Sequence, residues 1–180
     1  TIGHEFVGVV EESGNRDLIG LRIVGEINAG CGECELCRSG DPRHCPKRTV
    51  LGIVGRDGAH AEFLPLPVAN LLPVPESIVD EHAVFAEPLA AACGIMERAT
   101  VTKDKRVAVI GDGKLGLLCA QAIALTGAGV LLIGKHAEKL RIAAEGWHAP
   151  LDLVDGAARV YDPIVLGGKW DTPEVPIGPL

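Results

Sequence analysis

The chain has 180 residues and a net charge of -7, and its composition is 47% hydrophobic and 23% charged. This balance is typical of a globular protein with one domain or two small ones. The acidic charge disfavours binding to nucleic acid or to an anionic membrane surface, and no apolar run reaches the roughly 18 residues that a membrane span requires.

The first half of the chain is predicted to form short strands separated by turns. The β-forming residues at 6–10 favour one strand, and residues 18–27 favour a second that leads to a cysteine-rich loop. Further strands are predicted at 50–54 and 59–66. Prolines are frequent between residues 65 and 75 and exclude a long helix there. Short strands with frequent turns predict an irregular β-barrel.

The cysteine-rich loop has the pattern C-x-x-C-x-x-C-x7-C, formed by Cys31, Cys34, Cys37 and Cys45. Gly32, Gly40 and Pro42 supply the turns that let these thiols converge. Four thiolates at such spacings predict a closed tetrahedral zinc site, which has a structural role because no position is open for water.

Other interpretations of the loop are a pair of disulfides or four free thiols. Disulfides would require an oxidising compartment, whereas six cysteines without a visible secretory segment favour a reducing cytoplasm. A nucleic-acid zinc knuckle is the other zinc option. The acidic charge and the 3% aromatic content argue against it.

The hydrophobic period changes near residue 80, and the second half is predicted to alternate helices with strands. Glu87 lies where the second helix begins, just before a proline. The predicted elements are helices at 81–85 and 88–98, a strand at 107–110, a helix at 117–125, a strand at 130–133 and a helix at about 137–145.

A Gly-x-Gly-x-x-Gly turn joins the first of these strands to its helix and predicts dinucleotide binding. Gly111 allows a tight turn, Gly113 lets the backbone approach a pyrophosphate, and Gly116 lets the helix pack closely on the strand. Lys114 and Leu115 belong to the same predicted contact, where the helix N-terminus offers N–H groups to phosphates. The structural alternative is an ordinary strand–helix–strand unit with glycine in its turn.

The second strand ends at Gly134, which Lys135 and His136 follow. An acidic residue at this end would accept hydrogen bonds from the ribose of NAD. Glycine leaves room for a 2′-phosphate and Lys135 offers a positive charge, so we expect NADP rather than NAD. The alternative is that Lys135 is a solvated loop lysine.

These motifs together resemble the zinc-containing medium-chain dehydrogenase/reductase superfamily, the alcohol and polyol dehydrogenases. Gly3-His4-Glu5 resembles the family's G-H-E motif, and Glu87-Pro88-Leu89 resembles the E-P-L of its sorbitol-dehydrogenase branch. The four cysteines match its structural-zinc lobe and the glycine turn matches its cofactor turn. The resemblance implies a fold of class α/β and β. A GroES-like β-barrel domain at 1–100, with the zinc lobe at about 30–46, precedes a partial Rossmann domain with a doubly wound parallel sheet at 101–180.

The resemblance also implies a catalytic zinc ion. His4 and Glu87 match two of the family's metal ligands, and Glu5 matches the acidic residue beside the metal. In the family the zinc lowers the pKa of an alcohol so that a hydride can leave for the nicotinamide. Without the resemblance, His4 would be read as a packed strand-end histidine and Glu87 as an acid favoured by a helix dipole.

The implied protein is a cytoplasmic oxidoreductase that transfers a hydride between an alcohol or polyol, or the matching carbonyl, and NAD(P). Its partners would be a small-molecule substrate and, at full length, further copies of itself, with no nucleic acid and no membrane. The alternative is a non-catalytic, zinc-stabilised structural or oligomerisation remnant. A zinc-free reductase is disfavoured by the cysteine loop and Glu87.

Three features depart from the family pattern. The family's first catalytic-zinc ligand is a cysteine upstream of G-H-E, and neither Cys93 nor Cys119 matches it. His60 stands where the family usually has an aromatic residue, and the Rossmann pattern fades after Trp147. We therefore expect a fragment that is truncated at both ends.

Overall fold

The computed structural model describes residues 1–146, 151–155 and 164–166, the residues after 143 by their backbone alone. The chain divides into two compact units, Thr1–Pro88 and Leu89–Leu180. A functional division near residue 100 stays a prediction. Within the described residues, every helix is too short or too polar to cross a bilayer.

The first unit contains two small three-stranded sheets. One is antiparallel, with the central strand β2 between β1 and β6. In the other, β4 pairs antiparallel with β3 and parallel with β5. The strands are β1 Gly8–Val9, β2 Arg22–Gly25, β3 Asn28–Ala29, β4 Thr49–Leu51, β5 Gly55–Arg56 and β6 Leu71–Pro73.

Short helical turns connect these strands. The α-helices are α1 Glu35–Arg38 and α2 Asp80–Ala83, and the 3-10 turns are Arg16–Leu18, Pro42–His44 and Val68–Asn70. The first 3-10 turn is capped by Asn15, whose side chain accepts a hydrogen bond from the Asp17 N–H at 3.2 Å. This local bond explains why the strand predicted from residue 18 begins only at Arg22.

The strand predicted at 59–66 is wrong, because this segment forms no strand. Three of its side chains, those of Ala59, Leu64 and Leu66, are partly buried against the core of Ile27, Val50 and Leu51, but the alternation does not record burial, because Phe63 is 69% exposed. The backbone N–H groups at its start are used otherwise, and those of Ala59 and His60 donate to Gly3 and Ile2 at 2.8 and 3.0 Å.

Among the residues that the structure describes, the second unit forms a four-stranded sheet in the order β10–β7–β8–β9. Strands β7, β8 and β9 are parallel, and β10 pairs antiparallel with β7. The elements are α3 Ala86–Arg98, which begins in the first unit, β7 Arg106–Ile110, α4 Lys114–Ala124, β8 Gly129–Gly134, α5 Ala137–Gly146, β9 Leu151–Asp155 and β10 Ile164–Leu166.

This order confirms the predicted strand, glycine turn, helix and strand. The parallel strands bury their apolar side chains. Val109 of β7, Leu132 of β8 and Ile123 of α4 are each 2% exposed or less. Helix α4 begins at Lys114 rather than at residue 117, because its first turn includes the glycine motif. Trp147, where the sequence pattern fades, lies outside the described residues.

Candidate metal and dinucleotide sites

The four cysteines of the loop converge on one point. Their Sγ atoms all lie within 4.8 Å of one another, and those of Cys34 and Cys45 are 3.7 Å apart. Tetrahedral zinc bound by thiolates at about 2.3 Å separates its sulfurs by roughly 3.8 Å, whereas a disulfide bond measures about 2.05 Å. All six cysteines of the chain are free thiols. The cluster therefore fits a structural zinc site and not a pair of disulfides.

Backbone geometry brings the thiols together. Cys34 precedes α1 and its sulfur accepts a hydrogen bond from the Cys37 N–H at 3.5 Å, while the Cys31 N–H donates to Cys45 Sγ at 3.4 Å. Gly30 leaves space for a sulfur, because a Cβ there would lie 2.7 Å from Cys37 Sγ. Cys45 itself is fully buried.

The thiols are unequal in acidity. Backbone N–H groups of Glu33 and Cys34 lower the pKa of Cys31 to about 6, whereas burial raises the pKa of Cys37 to about 11. A bound divalent cation deprotonates its thiol ligands, and this donor set suits one.

His4, Glu5 and Glu87 form a second cluster, in which the nitrogen and oxygen ligand atoms also lie within 4.8 Å of one another. His4 and Glu87 are half-buried and Glu5 is exposed. One imidazole and two carboxylates are a ligand set that zinc accepts while keeping a position open. The structure thus brings together the three residues that the resemblance singled out, and their role as ligands stays a prediction.

Close backbone contacts hold the G-H-E segment in place. Gly3 has φ +95°, and a Cβ there would lie 2.4 Å from Cδ2 of the His60 ring. Gly52 and Gly58 pack so closely on this segment that a Cβ on either would lie 2.5 Å or less from the Gly3 carbonyl oxygen. The glycine before His4 is therefore required by its conformation and by the close approach of its neighbours.

Glu87 is the second residue of α3 and lies among charged groups. Burial raises the pKa of its carboxyl, His4 opposes this rise, and Glu5 and Glu26 add to it. Sequence reasoning missed Glu26, which follows β2 and whose Oε1 accepts hydrogen bonds from N and Nδ2 of Asn28, both at 2.7 Å. Its only sequence signal is an acidic residue at the end of an apolar strand.

The glycine turn has the geometry that dinucleotide binding requires. Gly111 has φ 123° and its N–H donates to the Ile133 carbonyl at 2.8 Å. A Cβ on Gly116 would lie 2.2 Å from the Gly111 carbonyl oxygen, whereas one on Gly113 would meet no atom within 4 Å. Gly113 precedes α4 and makes no side-chain cap, so the first N–H groups of this helix are left for a ligand. Lys114 and Leu115 are exposed in the first turn.

Beyond the turn, Gly134 at the end of β8 has a packing role that the sequence interpretation, which gave it only a role in cofactor choice, did not include. A Cβ on Gly134 would lie 2.5 Å from the Cβ of Asp112, so glycine is a packing requirement here. Lys135 is exposed and His136 is half-buried. Asp112 is only 3% exposed and was missed, although its sequence signal is an acidic residue inside the glycine turn.

Comparisons with known proteins agree with both halves of the chain. Residues 1–76 match the alcohol dehydrogenase GroES-like domain. The chain is similar to an L-threonine 3-dehydrogenase of Xanthomonas axonopodis pv. citri, with 37% identity over 151 residues that make up 81% of this chain and 43% of that protein. The chain belongs to the zinc-containing medium-chain dehydrogenase/reductase superfamily.

Solved structures of two dehydrogenases are similar as well. A protein described as a zinc-binding dehydrogenase, from Sinorhizobium meliloti 1021 and bound to NADP, is 35% identical with a TM-score of 0.77, covering 86% of this chain and 46% of that one. A protein described as a short chain alcohol dehydrogenase, from Escherichia coli CFT073 and complexed with NADH, is 30% identical with a TM-score of 0.75, covering 84% of this chain and 46% of that one. The chain thus spans less than half the length of these relatives.

Several predictions about this medium-chain dehydrogenase chain are thereby confirmed. They are the superfamily, the GroES-like domain followed by a Rossmann unit, and a cysteine cluster that fits structural zinc. The resemblance to NAD(P)-dependent dehydrogenases is confirmed as well. The roles of the individual site residues stay predictions.

Proposed function

We propose that the protein to which this chain belongs transfers a hydride between an alcohol or polyol, or the matching carbonyl, and a nicotinamide dinucleotide. The observation that carries the proposal is the His4, Glu5 and Glu87 cluster, whose ligand atoms lie within 4.8 Å of one another. The superfamily and the glycine turn support the same activity.

In this proposal His4 and Glu87 hold a catalytic metal ion, and Glu5 lies beside it as a neighbouring or exchangeable ligand. A zinc ion bound there would supply Lewis-acid chemistry that favours the alkoxide form of a bound alcohol. The chain's own contribution is to fix the donors. Contacts with Gly52 and Gly58 hold the segment before His4, and the N-terminal turn of α3 holds Glu87. Glu5 and Glu26 add negative charge that attracts a cation.

The dinucleotide would bind at the turn of Gly111, Gly113 and Gly116, with its pyrophosphate at the start of α4, beside Lys114 and Leu115. The absence of an acidic side chain at Gly134 and the charge of Lys135 favour NADP(H) over NAD(H). Relatives of known structure bind one or the other, NADP in one case and NADH in another.

The proposal extends to the setting of the protein. The partners would be a small-molecule alcohol or carbonyl and further copies of the full-length chain, and the compartment would be the cytoplasm. The net charge of -7 supports a protein that binds neither nucleic acid nor an anionic membrane. Six free thiols support a reducing compartment.

The test uses the full-length protein, its metal content and its turnover of an alcohol panel with NADP⁺ and NAD⁺. We expect zinc beyond that held by the cysteine cluster, together with cofactor-dependent oxidation. His4→Ala should lose the additional zinc and at least about a hundredfold in kcat/KM, which corresponds to ~3 kcal/mol of transition-state stabilisation. His82→Ala is the matched control, because His82 is an exposed residue of α2.

Two results would contradict this proposal. If the full-length protein holds zinc in the cysteine cluster alone and oxidises no alcohol, the non-catalytic remnant is the better interpretation. If His4→Ala keeps both zinc and turnover, the cluster of His4, Glu5 and Glu87 is not the metal site.

A further inference from the structure

Asp112 is a buried carboxylate in the glycine turn that dinucleotide binding leaves unexplained. Its side chain is 5% exposed and lies against the segment that follows β8. Oδ2 accepts hydrogen bonds from the backbone N–H groups of Lys135 at 2.8 Å and His136 at 2.6 Å. Nδ1 of the His136 ring lies 3.0 Å from both carboxylate oxygens.

These contacts keep Asp112 ionised despite its burial. Burial by itself raises the pKa of this carboxyl, but the His136 ring and the N–H groups of His136 and Lys135 lower it by more, so that the pKa falls below its usual range. Donors occupy both oxygens. The carboxylate is therefore engaged with protein groups and is not open to the hydroxyls of a ribose.

Asp112 also decides which groups stand at the end of β8. A Cβ on Gly134 would lie 2.7 Å from Asp112 Oδ2, so the carboxylate fills the volume in which a side chain of residue 134 would stand. The site then offers two potential cations at this end, Lys135, which is exposed, and His136, whose side chain is 36% exposed. Helix α5 begins at the next residue and directs the positive end of its dipole the same way.

We propose that Asp112 is a positioning residue that makes this end of the site selective for a dinucleotide with a 2′-phosphate, by holding His136 in place. This inference rests on the proposed dinucleotide binding and deepens it. Nδ1 of the His136 ring is within hydrogen-bond distance of Asp112, so Nε2 is the ring nitrogen that can contact a ligand. When Nδ1 donates to Asp112, donation from Nε2 to a phosphate requires a ring that carries a proton on both nitrogens.

The role differs from that of a strand-end acid. A carboxylate at residue 134 would face the ribose, accept its hydroxyl hydrogens and repel a 2′-phosphate. The carboxylate of Asp112 reaches the same volume from the glycine turn, 23 residues earlier in the chain than Lys135. Its Oδ2 accepts hydrogen bonds from the backbone N–H groups of Lys135 and His136 and so anchors the loop that would contact the phosphate.

The experiment compares the binding of 2′,5′-ADP and 5′-AMP to the full-length protein by calorimetry, because the two nucleotides differ only in the 2′-phosphate. We expect the wild type to prefer 2′,5′-ADP by about tenfold or more, which corresponds to ~1.4 kcal/mol. His136→Gln and Asp112→Asn should each lower this preference to a similar extent. The double variant should lose no more than His136→Gln alone, because Asp112 acts through the ring.

If these residues had a merely structural role, their substitution would weaken the binding of both nucleotides equally. The ratio of the two dissociation constants is therefore the decisive readout. His82→Gln is the matched control, since it makes the same chemical change in the first unit and should leave the ratio unchanged. His136→Gln changes a half-exposed side chain and keeps the inference testable if Asp112→Asn folds poorly.

Three results would overturn the inference. One is a wild type that binds both nucleotides equally, and another is a His136→Gln variant that keeps the wild-type ratio. Either result would leave dinucleotide binding intact. A wild type that binds neither nucleotide, nor NADP⁺ or NAD⁺, would overturn the inference together with the proposed function.

Discussion

Gly134 and Asp112 share a space that has room for one side chain. A Cβ on Gly134 would lie 2.5 Å from the Cβ of Asp112 and 2.8 Å from its Cγ, closer than two unbonded carbons approach in proteins. The glycine at the end of β8 thus has a packing cause in addition to any effect on the cofactor. This changes what a substitution at residue 134 is expected to do.

Gly134→Asp by itself should destabilise the protein and weaken the binding of both NADP(H) and NAD(H). The sequence alone predicts a simple shift from NADP(H) toward NAD(H), but the new side chain would displace Asp112 and release the 135–136 segment. We expect a loss of ~1–3 kcal/mol, as for other overpacked sites, seen as a lower Tm.

Combining Gly134→Asp with Asp112→Gly should restore packing and move the carboxylate to the strand end. This double variant should bind NAD⁺ more tightly than NADP⁺. The dissociation constants of both cofactors are measured for the double variant and for the wild type. A single Gly134→Asp variant that keeps its Tm and switches cleanly to NAD⁺ would show that the space is not limiting.

The two later glycines of the turn should respond differently to substitution. Gly116→Ala places a Cβ 2.2 Å from the Gly111 carbonyl oxygen and should lower Tm markedly. A Cβ on Gly113 would meet no atom within 4 Å, so Gly113→Val should leave Tm nearly unchanged while the branched side chain blocks the pyrophosphate. Thermal unfolding and NADP⁺ binding distinguish the two.

Gly94→Ala is the control for these glycines, because nothing lies within 4 Å of a Cβ in this helical position. It should raise stability by about 0.5–1 kcal/mol through helix propensity and leave NADP⁺ binding unchanged. Gly113→Val that binds NADP⁺ as well as the wild type would remove the turn from the cofactor site.

Cys37→Ser should abolish zinc binding by the cysteine cluster and expose the loop to protease. The lost thiolate leaves three donors, and because metal binding and loop folding are coupled, the loop should loosen. Metal analysis and limited proteolysis check this outcome. Cys93→Ser is the control, because Cys93 is exposed and lies outside the cluster. Freshly prepared wild type without zinc, with all four loop thiols alkylated at once, would contradict the prediction.

Asp112 should make the stability of the protein depend on pH in the acid range. Its pKa in the folded protein lies below the value of about 3.9 in an unfolded chain, so between these values the folded state binds fewer protons. The free energy of unfolding therefore includes a contribution that is complete above about pH 5 and is lost as pH falls through the folded pKa.

Asp112→Asn should remove this contribution and flatten the acid limb of stability against pH, measured by urea unfolding. Asp17→Asn serves as the control because Asp17 is exposed. The free energy of unfolding of this variant should fall with decreasing pH as it does in the wild type. An Asp112→Asn variant whose stability falls as steeply as that of the wild type would show that the carboxylate is not ionised against His136.

The sequence by itself determined the elements whose cause is local. The cysteine spacing predicts a zinc cluster because the turns between successive thiols are short, and the Sγ atoms do converge within 4.8 Å. The glycine turn predicts a parallel strand–helix–strand unit because its glycines fix the turn and the packing of α4, and β7 and β8 are parallel. Recognition of His4 and Glu87 as neighbours needed the family resemblance, since no local pattern links them.

Only the tertiary structure decided the pairings between distant segments. The alternation at 59–66 predicts a strand, but Phe63 is 69% exposed and the N–H groups of Ala59 and His60 bind residues 3 and 2 instead. Likewise, no periodicity indicates that Asp112 fills the space beside Gly134 and binds His136, 24 residues away. Periodicity records burial within one element, whereas the partner of a buried carboxylate depends on how β7 and β8 are placed side by side.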